Sequence, residues 1–128
     1  MKIKELWALP PNCLYEVRLA HNPLKIKISL EYYNEEDEEI YNNYIEFDGV
    51  ITYKYSSEKF SNYIINSYDT LCILENSSLI KELSEKSPEW FSINEKYHFV
   101  IYLDSYGQYE IVATSFEISE SKRGHLSD

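Results

Sequence analysis

Between Ile28 and Tyr53 the chain carries eight carboxylates (Glu31, Glu35, Glu36, Asp37, Glu38, Glu39, Glu46, Asp48) and no Lys, Arg or His. Five of them run consecutively from Glu35 to Glu39, edged by Tyr32, Tyr33 and Tyr41. Like charges gathered this closely repel one another, and a cationic partner removes that cost. Tyrosine rings beside them add apolar contact of the kind that slows dissociation. These residues form the candidate partner-binding set, and the chemistry they offer is electrostatic recognition without catalysis. A plainer account competes with it: charged runs in hairpin connections also serve as solvated tips that keep a sheet edge from aggregating.

Catalytic alternatives rest on fewer marks. Glu46 and Asp48 lie two apart on one strand face, an arrangement suited to acid–base work or to a shared cation, with Glu31 a third candidate from the neighbouring strand. Cys72, His98 and Asp104 supply the residue types of a Cys/His/Asp hydrolase, yet Cys72 lies in an apolar run without the glycine of a nucleophile elbow. His98 sits inside an apolar strand, where a ring hydrogen-bonded within or beside the sheet is the simpler account. His21 falls in a turn and His125 in the tail, which leaves no histidine triplet for a metal. Asp104 to Glu110 lacks the alternating acidic ligands of a calcium loop. With three glycines in all and neither GxGxxG nor GxxxxGK[ST], phosphate-cradling loops are excluded, and no cofactor is expected.

The elements that must position these residues follow from composition and pattern. A chain of 128 residues suits one domain, which at this size buries roughly two-thirds of its unfolded surface. Its 44% hydrophobic and 16% aromatic content lies far from the profile of disordered chains. Acidic residues number 22 against 12 basic, a net charge of −10, so nucleic acid and anionic membrane are poor partners. Cys13 and Cys72 lie far apart and match no metal motif, consistent with free thiols in a reducing compartment. No segment approaches the ~20 apolar residues of a membrane span, and the start has no apolar stretch of signal-peptide length. The cytoplasm is the expected location, with a monomer or weak homodimer as the expected state.

Strand patterns dominate. Leu24 to Tyr32 alternates apolar and polar side chains without a fault. A second alternation continues through Gly49 from Tyr44 to Tyr55 and predicts one long strand with a bulge or close backbone approach at the glycine. These two strands pair as a hairpin joined by the acidic run from Asn34 to Ile40. Leu14 to Ala20 reads as an earlier strand. Tyr97 to Leu103, apolar on both faces, reads as a central strand, and Gln108 to Ile118 as the last, joined to it by a turn at Asp104-Ser105-Tyr106-Gly107. A helix capped by Ser77 or Ser78 ends at Ser87-Pro88. Another is predicted from Ser57 to about Tyr68, and Thr70 to Leu74 fits strand or helix equally. The order predicts an α+β fold: a mainly antiparallel sheet of about five strands with one or two helices packed on one face. Residues 1–118 form the single domain and 119–128 a polar, flexible C-terminal tail.

The segments Ser78-Leu79-Ile80-Lys81-Glu82-Leu83, Trp90, Tyr97 to Asp104 and Tyr109 to Glu117 together resemble the closing portion of small bacterial toxin-immunity proteins. The resemblance covers the last third of the chain. It implies a non-enzymatic protein that binds a cognate toxin, commonly a nuclease or another enzyme with a cationic cleft, and occludes it. The acidic run fits such a basic protein partner. The alternative class is a small hydrolase or metal-dependent enzyme using Glu46, Asp48 or the His98 neighbourhood.

Overall fold

A computed structural model describes residues 2–8, 12–57, 69–93, 95–103 and 106–126. Ten strands and two short helices follow in the order β1 (Lys2–Ala8), β2 (Asn12–Asn22), β3 (Lys25–Asn34), β4 (Glu39–Asp48), β5 (Thr52–Ser56), β6 (Thr70–Glu75), α1 (Ser78–Lys86), α2 (Pro88–Ile93), β7 (Tyr97–Leu103), β8 (Gly107–Ala113), β9 (Ser115–Ile118) and β10 (Lys122–Arg123). One sheet has the order β1-β6-β7-β8-β5. The other has the order β10-β4-β3-β2, with β9 also paired to β4. All pairings are antiparallel.

Period-two patterning explains the layers. Ile26, Ile28, Leu30 and Tyr32 of β3, with Ile45 and Phe47 of β4, point to one side of their sheet and are buried. They meet Phe99, Ile101 and Leu103 of β7 and Ile111 and Ala113 of β8 in one core. Phe47 and Phe99 touch across it, ring centroids 5.2 Å apart in a tilted pair. Two antiparallel sheets sharing a core in this way make a β-sandwich. β7 is the middle strand of its sheet, and its other face buries Val100 with Cys72, Leu74 and Ile3 in a second cluster.

The expected α+β class is therefore corrected. Strand makes up 64% of the described structure and helix 13%, in two sheets, so the fold is mainly β. The ambiguous run Thr70–Glu75 is strand β6, and the unassigned start of the chain is strand β1, both in the sheet that the pattern did not reveal. A register shift between Glu5 and Trp7 hides β1 from a simple alternation: Ile3 faces the outer cluster, while Leu6 and Trp7 pack on the main core. The predicted helix from Ser57 to Tyr68 lies, apart from Ser57, outside the described residues.

The long strand through Gly49 is also corrected. At Gly49 (φ +66) the chain leaves one sheet and enters the other, and at Thr114 the returning chain does the same. Thr114 N donates to Asp48 O at 2.9 Å and Ile51 N to Val112 O at 2.9 Å, so the two segments stay paired through the bend. A Cβ on residue 49 would lie 2.3 Å from Thr114 Oγ1. Glycine is needed there both for its positive φ and for this approach. Beyond the corner the faces exchange: Val50 is buried while Ile51, Tyr53 and Tyr55 are exposed.

Candidate functional site

The acidic run forms the tip of the β3–β4 hairpin. Pairing extends to Asn34 opposite Glu39, leaving Glu35, Glu36, Asp37 and Glu38 as the connecting turn. The turn is built by its own side chains: Asn34 Oδ1 accepts from Glu36 N at 2.9 Å, and Asp37 Oδ1 accepts from Glu39 N at 3.1 Å. Glu38 adopts φ +57, a left-handed conformation that glycine or asparagine would occupy at lower cost. All five carboxylates from Glu35 to Glu39 are exposed.

The rest of the expected set divides. Tyr32 is 2% exposed, in the core, with its hydroxyl 2.5 Å from Ser121 Oγ. Glu31 is buried as well, bonded to His125 Nδ1 at 3.0 Å and Leu126 N at 2.8 Å. Burial pushes the Glu31 pKa up, but the Leu126 N–H and the His125 contact outweigh it and hold the carboxyl below its ordinary value. Neither residue presents a free surface. Glu46 and Asp48 share Lys25, at 3.6 Å and 3.1 Å. Asp48 first, then Glu46, raises the Lys25 pKa. Glu31 is four pairs further along the ladder from Glu46, opposite Asn42, so it does not join them. Tyr33 and Tyr41 are half-buried on the hairpin, and the Tyr41 hydroxyl donates to Asp37 Oδ2.

The C-terminal segment supplies cations that were invisible within residues 28–53. Lys122 and Arg123 pair with Asn42 and Tyr41 of β4, and Gly124 N donates to Ile40 O at 2.7 Å. The residues read from the sequence as a polar tail thus run beside β4 as far as His125, and Leu126 bonds to Glu31 of β3. Arg123 contacts Tyr41 and lies near Glu39 and Asp37, all of which raise its pKa. The small Lys122-Arg123 cluster was the one available signal, and its sequence distance from the hairpin concealed its role.

A second constellation lies on the outer face of the other sheet. Ser77 Oγ is 2.7 Å from His98 Nδ1, and His98 Nε2 is 3.0 Å from Glu110 Oε1. A carboxylate only accepts, so Nε2 carries the proton directed to Glu110, and Nδ1 faces the Ser77 hydroxyl. Ser77 Oγ also accepts from Ile80 N at 3.3 Å as the N-cap of α1. The His98 hydrogen bond, and secondarily its charge, lower the Glu110 pKa against a desolvation that raises it. Ser–His–carboxylate is the order of a hydrolytic relay. Here, however, the serine lone pair is committed to the helix, and Ser77 and His98 are 7% and 5% exposed.

The imagined Cys/His/Asp site is not assembled by this geometry. Both nitrogens of His98 are directed to Ser77 and Glu110. Cys72 is buried, and its thiol pKa is pushed up to about 11 by burial, then by Glu5, a poor state for a nucleophile. Asp104 and the side chain of Cys13 lie outside the described residues. Among the described residues no three His, Cys, Asp or Glu side chains converge as a metal site, and no helix is long and apolar enough to cross a membrane. Comparison with family models, curated proteins and solved structures finds no match.

Proposed function

We propose that this protein is a non-enzymatic binding protein that neutralises a basic protein partner, as an immunity protein neutralises a toxin, by placing the β3–β4 hairpin tip in a Lys/Arg-lined cleft. The observation that carries the reading is the continuity of Glu35 to Glu39 on an exposed, internally hydrogen-bonded turn. Glu38 strengthens it, because a carboxylate is retained at a φ of +57 where glycine would relieve strain. Contact residues under this reading are Glu35 to Glu39 with Tyr33 and Tyr41, and the Glu46–Asp48–Lys25 group further along the hairpin. Glu31 and Tyr32 hold the C-terminal segment behind the tip. A standard interface buries about 1,600 Å² in total, more than a turn supplies, so the flanking strand face must take part.

Co-expression with basic toxin domains, nucleases among them, tests the reading. Host survival is expected with the wild type and is expected to be lost when Glu36, Asp37 and Glu38 are all changed to Lys. Full protection by a folded triple variant would overturn the proposal. The competing reading, a serine hydrolase, is favoured by the Ser77–His98–Glu110 chain. Labelling by a fluorophosphonate reagent that disappears in Ser77→Ala would replace the binding function with that one.

A further inference from the structure

A lysine taken out of water normally meets a carboxylate. Lys96 is 8% exposed, and its Nζ donates to Thr114 Oγ1 at 2.6 Å. Among the described residues no carboxylate lies within ion-pair distance of it. One ammonium proton is satisfied by a hydroxyl, and among the described residues the charge has no counter-ion. Such a group is stabilised by an anion that reaches it.

Lys96 and Thr114 line a cleft of about 530 Å³ at the corner where the chain changes sheets. Leu24, Val50, Ile51, Leu83 and Phe91 make its walls apolar. Lys86 is a second cation on its lining, paired with Glu82 at 3.5 Å, and no Asp or Glu lines the cleft. Gly49 borders it too, and its missing Cβ leaves the Thr114 hydroxyl in place. The volume falls within the ~300–1,000 Å³ of small-molecule sites, and apolar walls around a few convergent polar groups are their usual lining. The cleft stands at the opposite end of the β3–β4 hairpin from the acidic tip, roughly 30 Å along the strands.

We propose that this cleft binds an amphiphilic carboxylate, a small molecule with one anionic head and a hydrocarbon tail. The head takes the two remaining Lys96 protons and the Thr114 O–H, which is free to donate because its oxygen accepts from Lys96. The tail lies between Leu24, Val50, Leu83 and Phe91. The net charge of −10 opposes anion approach at long range, so recognition rests on local contact instead of steering.

Octanoate is the probe, with octan-1-ol and acetate as tail-only and charge-only comparisons, followed by amide ¹H–¹⁵N NMR titration. Saturable shifts at Gly49, Val50, Lys96 and Thr114 are expected with octanoate, at an affinity at least about tenfold above either comparison. Lys96→Met should weaken octanoate at least about tenfold while leaving the free protein as stable or more so, because an unpaired charge is replaced by an apolar chain. Should that variant not fold, Leu24→Asp places a repelling carboxylate at a residue 59% exposed and should give the same loss. Equal affinity for octan-1-ol, undiminished binding in the folded variants, or shifts that miss the cleft would each overturn the inference.

Discussion

Ser77 performs two tasks with one hydroxyl: it caps α1 through Ile80 N and docks that helix on β7 through His98. Ser77→Ala removes the cap and leaves a buried ring nitrogen without a partner, for an expected loss of about 2 kcal/mol in urea unfolding. Glu110 at the other end of the chain makes the clamp pH-dependent. Its folded pKa lies below the ordinary value of 4.5, so the interaction stabilises the fold above the unfolded pKa and is lost as pH falls through the lower folded one. Glu110→Gln should accordingly flatten the acid limb of the stability–pH curve as pH falls below the ordinary carboxylate value. Identical acid limbs in the two proteins would show that the His98 contact contributes nothing. This relay was hidden in the sequence by a matter of register. A turn over residues 104–107 puts His98 opposite Ala113 and Glu110 on the far face, whereas the observed pairing of Leu103 with Gly107 sets His98 opposite Val112 and diagonal to Glu110.

The corner at Gly49 and Thr114 governs the elements. Gly49→Ala should cost at least about 2 kcal/mol, from the positive φ together with the clash on Thr114 Oγ1. Adding Thr114→Ala should return the Oγ1 part of the clash and leave the backbone part together with the 2.9 Å approach to the Thr114 Cβ, a coupling readable in a double-mutant cycle by chemical denaturation. Strict additivity would mean that the close approach does not matter. The same corner marks the limit of what alternation could tell. The β3–β4 hairpin and the central place of β7 were legible because each residue pair keeps its face throughout the strand. The second sheet was not, since period two continues through Gly49 while the sheet to which the residues belong changes. A bulge likewise masked β1, and the pairing of β10 with β4 links residues about 80 positions apart, a separation on which no local pattern bears. Of the candidate site, the exposed tip was legible from residue type alone. The burial of Glu31 and Tyr32 depended on a segment arriving from the far end of the chain.

For the molecule as a whole, charge is distributed unevenly. Lys25 answers Glu46 and Asp48, and Lys27 lies over the Tyr44 ring, its Nζ 4.3 Å from the centroid, so the body of the β3–β4 sheet is locally balanced. The tip keeps five carboxylates with Arg123 as the cation beside them. Association with a basic partner should therefore slow steeply between roughly 50 and 500 mM salt, more than dissociation quickens, when followed by stopped-flow or surface binding. A salt-independent association rate would remove steering from the account. Under the proposed function, the doubled crossing at the corner constrains how the tip would meet a partner. Since β4 with β9 becomes β5 with β8 without unpairing, neither layer can hinge away from the other while that ribbon holds. The hairpin is mounted on a stiff frame, and a partner has to fit a shape already decided; free and bound backbones should superpose within about 1 Å.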